Sequence, residues 1–367
     1  MVPIGTTAAE LAEWRGRKEH LRSCAIPGSQ HQGLHIGYGR YFSHYSAHQQ
    51  RARVVVKVDR SRPPSRGVHH VTTIIGDAQR TSDFYAHVLG LKRVKKTVCY
   101  DDPGSYHVYF GNTVGSPGTV ISTLAWRCVA KGMIGVGEVV QTVLRVPEGS
   151  LEWWSERLKA ANVACGLDKS PFGEAMLCFA DPDGTTLALV ESKHVHSEAR
   201  ESDGLRAILG LHEVTLNVRE EDATADILQD IFGFRRVSQT EDSVRFVAHD
   251  GPGGTVALRT IGGASRGRLG GGTIRHIAFR AANTEDQSAM VQKLQRMHDI
   301  VVTEPIERTY LIAVGFRAPC GVLFEIATDG PGFEIDEARD CLGTALKLPG
   351  FLETRRPELQ DILPPLN

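Results

Sequence analysis

Along LHEVTLNV, residues 211–218, apolar and polar side chains alternate: Val214, Leu216 and Val218 fall on one side of an extended chain, and Glu213, Thr215 and Asn217 on the other. Period-two alternation predicts a β-strand with one face on a core and the other lining a cavity. Related strands begin VHHVTTIIG, VVQTVLRVP and IRHIAFRA, at residues 68, 139 and 274. Each precedes an amphipathic helical stretch (SDFYAHVLG, SLEWWSERLKAANV, ATADILQDIFGF and EDQSAMVQKLQRM), and further strand-like runs follow the helix. From residue 67 the chain therefore repeats a strand–helix–three-strand unit four times, at a period of roughly 60 residues, which predicts an α+β fold of four βαβββ modules. Polar SKHVHSEARESDG separates the second unit from the third. The expected division is an extension over 1–66, a first pair of modules over 67–192, a linker over 193–208, a second pair over 209–329, and a C-terminal tail over 330–367 that packs on the core.

The repeat registers one strand against another. Aligning VHHVTTI, LHEVTLN and IRHIAFR places His70, Glu213 and His276 at one equivalent position. By the alternation of the third unit, His70 with Thr72, and His276 with Ala278, point into the cavity. His69 and Arg275 occupy the neighbouring position, and a regular strand sends neighbours to opposite faces, so His69 and His70 should not share a side. In GVLFEIA, residues 321–327, Val322, Phe324 and Ile326 face helices, which leaves Glu325 on the cavity side. A carboxylate so flanked needs a partner.

Composition narrows the classes. A chain of 367 residues, 41% hydrophobic and 23% charged, suits a soluble globular protein of two domains. A formal net charge of -1 gives no reason to expect nucleic acid or an anionic membrane as partner. No apolar run approaches the roughly 18 residues of a membrane span. Seven cysteines without a CxxC pair argue against a disulfide framework and for a reducing, cytoplasmic setting. The first 66 residues are rich in Arg and His and end in the basic linker RSRPPSRG; they read as a disordered extension or, alternatively, a targeting segment, without a secretory apolar region. Glycine-rich GRLGGGT, residues 267–273, precedes a strand where a phosphate loop would precede a helix, and reads as a flexible connection. Trp153 and Trp154 read as packing, DPDG and APCG as turns. Neither G-x-S-x-G nor HExxH occurs, so nothing points to a hydrolase.

Taken together, GVHHVTTI, FYAHVLGLKRVKKTV, DDPGSYHVYFG, GSPGT, RHIAF, GVLFEIATDGPGF and the tail LGTALKLPGFLETRRPELQDILPPL resemble the vicinal oxygen chelate superfamily of glyoxalases, bleomycin-resistance proteins and extradiol dioxygenases. The resemblance is greatest to its ring-cleaving hydroquinone dioxygenases and covers nearly everything from Gly67 onward. It implies curved sheets, two per chain, and a mononuclear Fe2+ (Mn2+ being the alternative) on His70, His276 and Glu325, which agrees with the face argument. It further implies His69, at the rim, and Arg308 as second-layer catalytic groups, with a small aromatic substrate and O2 as reactants and a homo-oligomeric assembly. Because the ligands come from the first and fourth units, those two should share one cup. In the other cup the equivalent positions are Gln141, Glu213 and Ala188, which cannot repeat the triad. His107 reads equally as a weaker site candidate or a core-lining histidine.

One departure stands out. Gly315 falls where the resembling branch usually carries a Tyr near substrate, and Ile312 where it often has a basic residue. Tyr310 is the phenol available to compensate, and Tyr310 and Thr72 are carried as substrate-binding residues. Two other readings stay open at this level: a redox-neutral, glyoxalase-type metal lyase or isomerase, and a non-catalytic protein that sequesters an aromatic compound.

Overall fold

The computed structural model of the protein describes residues 66–193 and 206–367; the N-terminal extension through residue 65 and most of the expected linker lie outside the described residues. The four units are regular. The first comprises β1 (Val68–Ile75), α1 (Ala78–Asp83) continued by a π-helical turn (Phe84–Val88), β2 (Lys92–Val98), β3 (Tyr106–Gly111) and β4 (Val120–Ala125). The second runs β5 (Val139–Pro147), α2 (Leu151–Ala160), β6 (Cys165–Lys169), β7 (Ala175–Ala180) and β8 (Thr186–Ser192). In the third come β9 (Gly210–Val218), α3 (Asp222–Asp230), β10 (Arg235–Gln239), β11 (Ser243–Val247) and β12 (Thr255–Thr260). The fourth has β13 (Ile274–Ala281), α4 (Thr284–His298), β14 (Ile306–Glu307), β15 (Leu311–Arg317) and β16 (Leu323–Pro331), and a short helix α5 (Arg356–Ile362) lies in the tail. Two of the helices start where a side chain caps them: Asp77 accepts from the Arg80 amide, and Asn283 from the Asp286 amide, each at 2.9 Å. No helix among the described residues is long and apolar enough to cross a membrane.

These strands form two eight-stranded sheets, ordered β14-β15-β16-β13-β1-β4-β3-β2 and β10-β11-β12-β9-β5-β8-β7-β6. The first and fourth units thus share one sheet, joined by antiparallel β1 and β13, and the second and third share the other through β5 and β9. Apolar faces of both sheets meet their helices in one continuous core, with Val71, Phe279, Phe324, Trp154 and Leu216 buried in it. Trp154 packs as its helical position suggested.

Both seams carry paired register slips. Between β1 and β13 the pairing jumps from Val68↔Phe279 to His70↔Ala278, and again from Thr72↔His276 to Thr73↔Ile274. The extra residues are His69 on β1 and Arg275 on β13. Between β5 and β9 the same two slips leave Val140 and His212 as the extra residues. A β-bulge lets adjacent side chains share a face, so the expectation that His69 and His70 lie on opposite sides fails.

GRLGGGT is not a free connection. It runs beside the other inter-unit connector, with bridges Lys131↔Gly271 and Met133↔Arg268. A Cβ at Gly270 would stand 2.5 Å from the Ala130 carbonyl oxygen, so glycine is required by close backbone approach.

Candidate metal centre

The pairing of three strands builds the floor of the site. His70 on β1 pairs with Ala278 on β13, and Ala278 pairs with Glu325 on β16. Ala278 contributes only a methyl group, so His70 and Glu325 lean over it from either side. His276, two residues along β13, joins them from the next row, opposite Thr72. The donor atoms of His70, His276 and Glu325 all lie within 4.8 Å of one another. His70 Nε2 is 3.2 Å from His276 Nε2, and His276 Nε2 is 3.4 Å from Glu325 Oε2.

The chemistry of this donor set fits a divalent cation. Metal–ligand bonds of about 2.1 Å place neighbouring donors roughly 3 Å apart, and two imidazoles plus a carboxylate on one face leave coordination positions open. Burial pushes the His276 pKa down to about 4, and the same desolvation, with His69, His276 and His107 nearby, holds His70 well below its ordinary value. Both rings are therefore neutral at pH 7 and offer lone pairs. His276 Nδ1 has no hydrogen-bond partner among the described residues, so that ring's polar contacts are made through Nε2, inside the site.

His69 sets the state of His70. Its Nδ1 lies 3.0 Å from His70 Nδ1, and the Thr328 backbone lies beside its ring. A bond in which His69 Nδ1 accepts and His70 Nδ1 donates leaves the His70 Nε2 lone pair facing the other two ligands. His69 is itself 4% exposed and does not line the cleft, in contrast to the rim position expected of it. The bulge that turns it beside His70 also shuts it beneath the surface.

Above the triad lies a cleft whose walls include Cys99, Tyr100, Asp101, His107, Tyr109 and Leu124 from the first unit, with Arg275, Arg308 and Leu311 from the fourth. Arg308 lines the cleft: its guanidinium lies 5.3 Å from the centre of the Tyr100 ring and 4.0 Å from Asp101. The two residues assigned to substrate are elsewhere. Thr72 is fully buried under the triad, 2.7 Å from both His276 Nε2 and Ser122 Oγ. Tyr310 donates to Asp336 at 3.0 Å from within an apolar cluster with Val94, Tyr109 and Phe333, so its hydroxyl is already engaged. Gly315 pairs directly with Glu325, and a Cβ there would make ordinary contacts with Thr303 at 3.7 Å and Leu323 at 3.9 Å, so the backbone tolerates a side chain at this position.

Sequence reasoning left Tyr109, Tyr100 and Cys99 unassigned and underrated His107. A chain of hydrogen bonds runs Tyr109 to His107 (3.2 Å), His107 to Ser122 (3.1 Å), Ser122 to Thr72 (2.7 Å) and Thr72 to His276 (2.7 Å). The usable signal was alternation: His107 and Tyr109 are two apart in SYHVYFG, hence on one strand face.

The second cup is filled differently. Pairing puts Ala188 where Glu325 would stand, Gln141 where His276 would stand, and Glu213 at the place of His70. Glu213 accepts from Arg245 at 2.6 Å, and Arg245 also reaches Glu174 at 2.5 Å. An ion-pair network occupies the position of a metal site, and the only trio of His, Cys, Asp or Glu poised to hold an ion among the described residues is His70, His276 and Glu325.

Comparison with known proteins agrees with this architecture. The model of the Glyoxalase/Bleomycin resistance protein/Dioxygenase superfamily matches residues 67–189 and 210–326. MhqO of Bacillus subtilis (strain 168), provisionally named a ring-cleaving dioxygenase, is 40% identical over 302 residues, covering 82% of this chain and 96% of its own. The chlorohydroquinone/hydroquinone 1,2-dioxygenase of Sphingobium indicum is 29% identical over 310 residues, 80% of this chain and 94% of its own. A crystal structure of a protein from Bacillus subtilis subsp. subtilis str. 168, provisionally named a dioxygenase, superposes with a TM-score of 0.78 at 40% identity, covering 83% of this chain and 98% of that one. Glyoxalase I from Zea mays, at 14% identity, TM-score 0.55, and coverage of 72% and 92%, shares the fold. With four matching units and a His–His–Glu cluster on the seam, the chain belongs to the Glyoxalase/Bleomycin resistance protein/Dioxygenase superfamily and is an enzyme.

Proposed function

We propose that the protein is an Fe(II)-dependent extradiol-type dioxygenase that opens the ring of a hydroquinone-like aromatic, in preference to a catechol. The observation that carries this reading is the convergence of two neutral imidazole nitrogens and one carboxylate oxygen beneath a cleft walled by Tyr109, His107 and Arg308. A redox-active divalent ion bound there would acidify a substrate hydroxyl and pass electrons between ring and dioxygen. The protein does the rest. Leu124, Leu311 and the Tyr109 ring give the cleft apolar surface that accepts a flat ring and excludes water. Arg308 holds a fixed positive charge toward the cleft, where it stabilises an oxyanion as it develops. His69 keeps the His70 lone pair aimed inward, acting through His70 rather than on substrate. The Tyr109–His107–Ser122–Thr72 chain offers a proton path along the wall.

The test is oxygen uptake by protein reconstituted anaerobically with Fe(II), offered hydroquinone and then catechol, alongside His276→Ala. Uptake matched by ring-opened product, and reduced in the variant together with its iron content to background, is the expected result. Iron-loaded protein that binds these phenols and consumes no oxygen would overturn it in favour of redox-neutral chemistry at the same centre. Loading with Mn(II) in parallel decides between the two ions.

A further inference from the structure

Arg275 is the extra residue of the β13 bulge, and this turns it to the same side as His276. Four charged side chains besides the histidines line the cleft: Asp101, Arg275, Arg308 and Glu325. Glu325 belongs to the triad, and Asp101 lies against Arg308 at 4.0 Å. Arg275 makes no ion pair with a carboxylate among the described residues; its guanidinium instead sits 5.7 Å from the centre of the Trp126 ring. A guanidinium packed on an aromatic face keeps N–H donors at its edge for a planar anion. Its charge is felt at His276, His107 and Cys99, which places it on the triad side of the cleft, and the Arg308 charge bears on His276 and His107 as well. Two cations therefore bear on the same two histidines, and beyond the triad's own Glu325 the lining offers one carboxylate, Asp101, to offset them.

We propose that Arg275, backed by Arg308, is the specificity-determining residue of the cleft, and that it selects a dihydroxylated ring carrying a carboxylate over the neutral hydroquinone. This rests on the dioxygenase reading for what happens to the ring, but not for which ring is bound. The carboxylate would pair with the Arg275 fork while the ring hydroxyls face the triad. A half-buried guanidinium without a counter-ion is costly, and an anionic substituent offsets that cost only when substrate is present.

The experiment uses the full chain loaded anaerobically with Fe(II). Binding of 2,5-dihydroxybenzoate and of hydroquinone is titrated by tryptophan fluorescence, for which Trp126 beside Arg275 is the reporter, and by calorimetry; oxygen uptake is then measured with each. Wild type is expected to favour 2,5-dihydroxybenzoate at least tenfold in Kd and in kcat/KM. Arg275→Met, checked for iron content and thermal unfolding, should bring the ratio of the two affinities to about one, and Arg275→Lys should restore part of it. A wild-type ratio of one or below, or a ratio that Arg275→Met leaves unchanged, overturns the inference. Ring opening of hydroquinone alone leaves the dioxygenase intact and removes the selectivity. Tight, Arg275-dependent binding of the carboxylated ring without oxygen uptake keeps the selectivity and removes the dioxygenase.

Discussion

His69 and His70 are neighbours in the chain, yet their joint role depends on a single extra residue in β1. Had the strand been regular, His69 would have pointed into the helix layer, and His70 would have lacked a partner for Nδ1. Fixing a ligand's tautomer through its second nitrogen typically changes metal affinity by 10–100-fold. His69→Leu, which keeps the volume and removes both ring nitrogens, is therefore expected to weaken Fe(II) binding by roughly that factor. Competition against a calibrated chelator under anaerobic conditions measures it, and an unchanged affinity would mean that His70 orients without help. At this scale alternation put His70, His276 and Glu325 on the cavity side, and the family resemblance implied them as ligands. Thr72 faces as alternation suggested and Tyr310 lies away from the cleft; their partners, Ser122 and Asp336, come from distant parts of the chain.

At the scale of elements, the connectors between units are more constrained than their glycines suggested. Glu138 closes the connector ahead of β5, and a Cβ on Gly267 would fall 2.0 Å from its Cγ, so Gly267 makes the space that Glu138 fills. Burial raises the Glu138 carboxyl pKa to about 7, with Arg317 opposing. A carboxyl whose folded pKa is raised binds its proton more tightly when folded, so stability falls as pH rises from its ordinary value of 4.5 to about 7, and is level above. Glu138→Gln keeps the neutral shape and should remove this slope, raising stability at pH 8 by up to about 3 kcal/mol. Urea unfolding at pH 5 and pH 8 checks this; equal slopes in both proteins would show that Glu138 is hydrated. The four helices were legible from periodicity, whereas the bulges were not, because a bulge is a property of two paired strands and leaves no fixed mark on either.

Across the whole molecule, the halves of the sequence are not the halves of the structure: each sheet takes one unit from each half, and the metal ligands come from opposite ends of the repeat. The C-terminal segment then ties the first sheet together. Lys95, wholly buried on β2, donates to Asp336 and Glu337 at 2.5 Å each, beneath the Tyr310 ring. Removing one member of such a buried set strands its partners, at about 3–5 kcal/mol. Lys95→Met should therefore lower stability by about that amount and expose residues near 336–347 to protease, seen by thermal unfolding and limited proteolysis. A variant with wild-type stability and an intact tail would show that the backbone contacts, such as Lys347 to Lys96, suffice.

The sequence by itself determined the unit, its fourfold repetition, and which face of each first strand carries chemistry, because side-chain alternation and helical periodicity are properties of the local chain. Tertiary structure alone decided that His69 lies behind His70, that Arg275 enters the cleft, that Tyr310 is spent on Asp336, and that Arg245 with Glu174 closes an ion-pair network on Glu213 in the cup whose positions could not repeat the triad. Each of these depends on which backbone hydrogen bonds form between strands far apart in sequence. A shift of one residue in that register exchanges the faces of a strand, and the two bulges at the seam make that shift where the ligands stand.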